Sequence, residues 1–269
     1  MKLDFDVHRD VWGPYLTLLL NISPDNTPVY KAGEAVPRIT NRTIPAAKLT
    51  DEGIFLHLLE ELPQNYERIK HFDLSADEYQ MATHKFKSHF LKSVFDIINT
   101  QVYPDFYIME AACGPGHEAM KLSSFVPDGE VIAVDLSTEM LKRAYRNSRL
   151  NRIRNIGFVQ ADVHQLPVFF EKHFDLVFCS LSLHFFKNAE KAINQFYKVL
   201  RSGGKIVIVE PIGSLEQVSN APIFKLALPQ FQQFYNAGEL KSLLKKSGFK
   251  PLFQKKIQKN MGLTIAVRP

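Results

Sequence analysis

Cysteine is scarce in this chain, which has two among its 269 residues. Cys113 and Cys179 cannot form a disulfide framework, and neither is in the CxxC spacing of a metal site. Long apolar runs are also missing, because the longest, residues 15–20, falls far short of the roughly 18–20 residues of a membrane span. Three aspartates in the first ten residues interrupt the pattern of a signal peptide. We therefore expect a cytoplasmic protein without a membrane span.

The excess of basic over acidic residues is small. A net charge of +5 permits an anionic partner but does not require one, and the most basic stretch, residues 142–154, is typical of a solvated helix face. A content of 45% hydrophobic and 23% charged residues is that of a globular protein, and the length fits one large domain with or without an appendage.

The pattern of apolar residues changes near residue 104. Before it, the spacing favours helices: one is predicted to begin at Thr50, and Ser75 with Glu78 forms the pattern of a capping box that opens another. Residues 1–70 are therefore predicted to be a helical N-terminal extension.

After residue 104, short apolar runs alternate with segments of helical length. This alternation predicts an α/β fold, a doubly wound parallel sheet with right-handed crossovers. Two final runs, 249–257 and 263–267, have no helix between them and predict an antiparallel hairpin at the edge of the sheet. The other strands are predicted at 107–112, 131–135, 156–160, 176–180 and 205–210, and the helices near 118–125, 138–150, 189–200 and 237–247.

A glycine-rich loop follows the first of these strands. Gly114 and Gly116 lie between a strand and a helix, where glycines let the backbone approach a ligand and the helix presents free N–H groups. With Ala119 they also fit the dinucleotide fingerprint, although a tight turn without a ligand remains an alternative.

Three acidic residues accompany the loop. Glu110 lies on the strand before it, where a carboxylate suits a cation or a hydrogen-bond donor better than a pyrophosphate. Asp135 ends the second strand and can accept both hydroxyls of a ribose; as an alternative it caps the next helix, for which Ser137 is better placed. Asp162 follows the third strand and can accept from an exocyclic amine or form a turn.

These motifs together resemble those of the class I S-adenosylmethionine-dependent methyltransferases that act on small molecules and have a UbiE-like core. The resemblance spans about residues 70–269. It implies a Rossmann-like, seven-stranded sheet of order 3-2-1-4-5-7-6 with an antiparallel last strand, a cofactor-binding domain over residues 71–269 and a lid insertion at 211–236. The motifs are the loop from Glu110 to Gly116, Asp135, Asp162 with Leu166 and Pro167, and the pair Gly203 and Gly204 before a strand.

The resemblance also implies S-adenosylmethionine as the cofactor and a role for each motif. The loop residues Glu110, Ala112, Cys113, Gly114 and Gly116 would hold the methionine part. Asp135, with Leu136 beside it, would bind the ribose hydroxyls. Asp162 and Val163 would bind the adenine. The carbonyl of Ser180 would accept from the ammonium group. The family usually has glycine where this chain has Ala112.

The acceptor side is less defined. His184 follows the fourth strand, where the strand order reverses, and is the best candidate for a general base or an acceptor-orienting group; as alternatives it contacts the cofactor or caps the next helix. No (Asn/Asp)-Pro-Pro-(Tyr/Phe) signature follows this strand, which argues against a nucleic-acid substrate. We expect a small, partly apolar organic acceptor, methylated at O, N or C, and no metal; the oligomeric state is left open.

Two other functions are compatible with parts of the pattern. An NAD-dependent oxidoreductase would also use a doubly wound sheet, but Glu110 and the terminal hairpin argue against it. The second alternative is a methyltransferase-like domain that binds the cofactor or a partner without turnover. It stays open because Ala112 departs from the family pattern and no residue is unambiguously catalytic.

Overall fold

The structure is a computed structural model and describes six stretches of the chain. The predicted lid at 211–236 and the predicted extension at 1–70 therefore lie largely outside the described residues, and their assignment stays a prediction. The described residues are 47–49, 54–57, 66–166, 170–212, 232–258 and 261–269.

The described strands form one sheet in the order β1-β2-β5-β4-β3-β6-β7-β9-β8. From β5 to β8 this is the predicted order 3-2-1-4-5-7-6, with β9 antiparallel to β7, so the predicted fold is confirmed. The strands are β1 (Ala47–Leu49), β2 (Ile54–His57), β3 (Tyr107–Ala111), β4 (Glu130–Asp135), β5 (Ile156–Gln160), β6 (Phe174–Ser180), β7 (Leu200–Pro211), β8 (Lys250–Gln258) and β9 (Met261–Val267).

Helices cover both faces of the sheet. Successive residues of β3 face opposite ways: Ile108 packs in one apolar cluster with Ala119 of α3, and Met109 in another with Ile193 of α5. Burial on both faces explains why the parallel strands are continuous apolar runs. No described helix is long and apolar enough to cross a membrane. The helices are α1 (Tyr66–Leu74), α2 (Ala76–Asn99), α3 (His117–Ser123), α4 (Thr138–Leu150), α5 (Ala189–Val199) and α6 (Ala237–Lys246).

The helix predicted to begin at Thr50 is wrong over residues 54–57, which form β2. This strand pairs in parallel with β5, with Ile54 opposite Phe158, and β1 pairs antiparallel with β2. The edge of β5 has backbone groups that need partners, and a short apolar run satisfies them as a strand. Periodicity over so few residues does not distinguish a helix from a strand. The predicted boundary at residue 70 also falls inside α1.

The capping box predicted at Ser75 is wrong as well. Its Oγ donates to the carbonyl of His71 at 2.7 Å and makes no cap bond to α2. The reason is that α1 ends at Leu74, so Ser75 lies in the turn between two consecutive helices and satisfies the end of the first. A further difference is that β7 begins at Leu200, directly after α5, and not at Lys205 as predicted.

Candidate functional site

A pocket lies at the carboxyl ends of the central strands. Its volume is about 740 Å³, which includes space that is open to solvent. The predicted site residues that line it are Ala112, Gly114, Asp135, Leu136, Asp162 and Val163. The predicted residues Glu110, Cys113, Gly116, Ser180 and His184 are not among its described lining residues, and their roles stay predictions.

Glycine is needed at the two positions of the loop for different structural reasons. Both have a left-handed backbone, with φ of 53° at Gly114 and 78° at Gly116. A Cβ on Gly116 would lie 2.7 Å from the Cβ of Ala144, so glycine here lets α3 pack on α4. A Cβ on Gly114 would meet Tyr79 only at 3.9 Å, so there the backbone conformation is what requires glycine. Gly114 is the one that faces the pocket.

Ala112 also has a left-handed backbone, with φ of 56°. This conformation costs an alanine roughly 1–2 kcal/mol. Leu181, at the end of the neighbouring strand β6, has φ of 53°. Between these strand ends Ser182 lines the pocket, and its Oγ lies 2.8 Å from the carbonyl oxygen of Ser180 and 3.4 Å from that of Ala112. Sequence reasoning missed Ser182.

Asp135 lies at the end of β4 and is bonded to the glycine loop. Its carboxylate accepts the N–H of Gly114 at 2.7 Å and the N–H of Ser137 at 2.9 Å. Burial raises the pKa of this carboxyl to about 6, although the two hydrogen bonds act in the opposite direction. The cap of α4 is Ser137, whose Oγ accepts from the N–H of Met140, so the alternative of Asp135 as a helix cap is wrong.

Asp162 combines the two interpretations of its sequence position. Its Oδ1 accepts the backbone N–H of His164 at 2.8 Å, which is a local turn, and yet its carboxylate lines the pocket. The ring Nδ1 of His164 lies 2.6 Å from the same oxygen. Burial would raise the pKa of Asp162, but the hydrogen bonds from His164 outweigh it and hold the pKa below its ordinary value.

His184 is held by a carboxylate that the sequence did not indicate. Its Nδ1 lies 2.5 Å from Oε2 of Glu210, and both side chains are buried. The other oxygen of Glu210 accepts the N–H groups of Ser182 and Leu183, each at 2.8 Å. The signal was available, because Glu210 ends the strand next to β6, but on its own an acid at a strand end is not specific. His184 lies beside the pocket, since its neighbours Ser182 and Phe185 line it.

Helices α1 and α2 form a wall of the pocket, which sequence reasoning also missed. Ile69, Phe72 and Tyr79 line it, and the ring of Phe72 lies 5.5 Å from that of Tyr79 and 5.3 Å from that of Phe185. Two polar contacts hold the same helices on α4: Ser137 Oγ donates to Asp73, and Arg143 pairs with Asp77.

These features fit a cofactor with a nucleoside and a charged tail. Two carboxylates, Asp135 and Asp162, end neighbouring strands and face one pocket, where they suit the hydroxyl and amine donors of a nucleoside. Val163, Met140 and Phe186 supply apolar surface for a base beside them. The carbonyls of Ala112 and Ser180, both near Ser182, are acceptors suited to an ammonium group.

Comparison with known proteins agrees with this geometry. Residues 109–208 match the family model described as a methyltransferase domain. The ubiquinone/menaquinone biosynthesis C-methyltransferase UbiE of Psychromonas ingrahamii is 28% identical over 64% of this chain and 63% of its own length. That of Ectopseudomonas mendocina is 34% identical over 45% of this chain and 48% of its own. The chain therefore spans less than two thirds of these relatives.

A solved structure shows the same fold. The S-adenosylmethionine-dependent methyltransferase of Aquifex aeolicus superposes with a TM-score of 0.56 over 65% of this chain and 88% of its own, at 15% identity. Sheet order, domain match and relatives agree: the chain has the fold of the class I methyltransferases, and residues 109–208 are similar to a methyltransferase domain.

Proposed function

We propose that this chain transfers a methyl group from S-adenosylmethionine to a small, partly apolar organic acceptor, at a carbon or oxygen atom that must lose a proton. The observation that carries the proposal is the buried pair of His184 and Glu210, 2.5 Å apart, beside the pocket and at the carboxyl ends of β6 and β7. Ligands of doubly wound sheets bind outside strand ends of this kind.

The cofactor's place is argued from the pocket. Asp135 would accept from the ribose hydroxyls, Asp162 from the adenine amine, and the loop around Gly114 would lie against the methionine part. When bound, the cofactor supplies a methyl group that its sulfonium has already activated. What the protein has to add is alignment of the acceptor, exclusion of water and, for some acceptors, removal of a proton.

His184 is suited to removing that proton. Because the Glu210 carboxylate only accepts, we assign the ring proton to Nδ1, and Nε2 is then the basic nitrogen. The N–H groups of Ser182 and Leu183 hold the other oxygen of Glu210, so the carboxylate cannot turn away. Once His184 has taken a proton, the same carboxylate stabilises the imidazolium that forms.

A base of this kind favours carbon or oxygen over nitrogen as the methylated atom. A neutral amine attacks with its lone pair and loses its proton afterwards, whereas a phenol or a carbon acid must lose a proton as it attacks. The UbiE relatives are named as C-methyltransferases, which supports carbon.

The surroundings of His184 support a partly apolar acceptor. The ring of Phe185 is 4.2 Å from that of His184, and Phe234 stacks nearly parallel to it at 6.0 Å. The carbonyl of His184 accepts the N–H groups of Gln232 and Gln233, at the described end of the predicted lid. We therefore keep segment 211–236 as the candidate that selects the acceptor.

Turnover tests the proposal. Phenols, enolisable carbonyl compounds and amines are offered with S-adenosylmethionine, and release of S-adenosylhomocysteine is measured. His184→Ala should lower kcat about 100-fold with unchanged cofactor affinity, in the range that general bases contribute. His173→Ala, at the opposite end of β6, is the matched control and should keep the wild-type kcat. An unchanged rate in His184→Ala, or turnover of amines alone, would contradict the proposal.

A further inference from the structure

His164 makes two hydrogen bonds to one oxygen of Asp162. Its backbone N–H lies 2.8 Å and its ring Nδ1 2.6 Å from Oδ1. The two side chains are nearly buried, with 10% of His164 and 18% of Asp162 exposed, and both line the pocket. Within the part of the chain that the structure describes, both hydrogen bonds to the Asp162 carboxylate end on Oδ1. Oδ2 is therefore the oxygen that a ligand would meet.

The ring of His164 is itself fixed on its far side. Its Nε2 lies 3.4 Å from the backbone nitrogen of Asn188, whose N–H needs an acceptor, so the ring proton is on Nδ1 and points at Asp162. Asn188 is the cap of α5, because its side chain accepts from the N–H of Lys191. The ring also packs edge-on against Phe186 at 5.7 Å. His164 thus joins a pocket carboxylate to the start of a core helix.

We propose that His164 is a positioning residue of the cofactor site: it holds Asp162 so that Oδ2 faces the exocyclic amine of the adenine, and it thereby determines selectivity for adenine. The proposal rests on the proposed cofactor site and adds a residue to it. His164 acts through Asp162 and does not itself touch the reacting atoms.

Two physical arguments support this role. A carboxylate held at one oxygen by two donors cannot rotate, so its other oxygen has a defined direction, and hydrogen-bond strength falls steeply with poor alignment. The same donors oppose the effect of burial and hold the pKa of Asp162 below its ordinary value, which keeps the group an acceptor at neutral pH. A group that can only accept hydrogen bonds binds an amine and repels a carbonyl oxygen at the same position of the base.

The test compares two nucleosides that differ at that position. S-adenosylhomocysteine and its hypoxanthine analogue, in which a carbonyl oxygen replaces the amine, are titrated into the full chain by calorimetry. A site built to accept from an amine should prefer adenine by at least about tenfold, because the analogue leaves Oδ2 of the nearly buried Asp162 carboxylate without a donor. His164→Phe keeps the ring contact with Phe186 but has no ring N–H, and should lower this preference about three- to tenfold.

The controls separate positioning from stability. His164→Asn keeps a donor and should retain more of the preference than His164→Phe; His164→Leu is a second variant without a donor if the Phe variant does not fold. His173→Ala truncates a histidine at the opposite end of β6 and should leave the preference unchanged. Melting temperatures are measured for all four variants, since a merely structural role would change stability without changing the ratio of the two affinities.

The outcomes are distinct. A wild-type ratio of affinities in His164→Phe or His164→Leu would overturn the role of His164. Equal binding of both nucleosides by the wild-type chain would overturn selectivity through Asp162 and leave the methyl-transfer proposal standing. If neither nucleoside binds the wild-type chain, the cofactor site itself is wrong, and this proposal falls with it.

Discussion

Asp135 and Gly114 are joined by a hydrogen bond of 2.7 Å between the carboxylate at the end of β4 and the backbone N–H of the loop after β3. One side chain therefore does two things, because it fixes the glycine loop and presents a carboxylate to the pocket. Its burial is costly in the ionised form, which is why its pKa is raised to about 6.

Cofactor binding should release protons near pH 6. Asp135 is about half protonated there, and ribose hydroxyls that donate to its ionised form would lower its pKa in the complex. We expect release of about half a proton per site at pH 6 and close to none at pH 8. Calorimetry in buffers of different ionisation enthalpy measures this, with Asp135→Asn as the control that abolishes the release. Proton uptake at pH 6 would show that the carboxylate does not meet donors.

Replacing Ala112 with glycine should cost little stability or none. Glycine relieves the left-handed strain at this position, worth roughly 1–2 kcal/mol, which offsets the lost methyl contact and the greater freedom of the unfolded chain. Ala111→Gly is the matched control: it is the neighbouring alanine, fully buried within β3, and has no such strain to relieve. In denaturant titrations, Ala111→Gly should be destabilised by at least about 1 kcal/mol more than Ala112→Gly. Equal losses of unfolding free energy in the two variants would mean that the left-handed backbone at Ala112 does not destabilise the protein.

Glu210→Gln should impair catalysis without weakening cofactor binding. The glutamine amide would donate to Nδ1 of His184, where the carboxylate accepts, and would drive the ring proton to Nε2. Because Nε2 of His184 would then no longer be basic, kcat should fall about 100-fold or more. Kinetics and calorimetry on the same variant separate the two effects. A normal kcat would remove Glu210 from the mechanism.

Phe72→Ala should weaken cofactor binding about five- to tenfold, because this side chain is part of the aromatic wall that shields the pocket. Leu74→Ala, on the same helix but with 80% of its surface exposed, is the matched control and should bind normally. Equilibrium titration of S-adenosylhomocysteine measures both. Deleting residues 1–70 removes Ile69 of the same wall as well as β1 and β2, so it should lower cofactor affinity as well as turnover.

The sheet could be predicted because local signals agreed. Each parallel strand is buried on both faces and reads as an apolar run, and the left-handed Gly114 and Gly116 mark the loop where a ligand approaches. Asp135 and Asp162 followed from their positions at strand ends. The strand β2 could not be predicted, since its pairing with the edge of β5 is a contact between residues about a hundred positions apart.

The rest of the site depends on contacts that no local pattern encodes. Glu210 was missed because its partner His184 is 26 positions earlier and the two meet only when β6 and β7 are paired. The positions of Phe72 and Tyr79 in the pocket wall were not predicted, because which helix face covers the pocket is decided by how α1 and α2 dock on α4.

The central claim is that the pocket holds S-adenosylmethionine through Asp135, and titration calorimetry of the full chain tests it most directly. The account predicts binding of one S-adenosylmethionine per chain. Asp135→Ala should weaken S-adenosylmethionine binding about 10- to 100-fold and should lose some stability with the hydrogen bond to Gly114. The affinity of Asp135→Asn should lie between those of the wild type and Asp135→Ala. Glu139→Ala, which removes an equal charge from the first turn of α4, should bind as the wild type does. Unchanged affinity in Asp135→Ala, or binding of NADH in place of S-adenosylmethionine, would contradict the account.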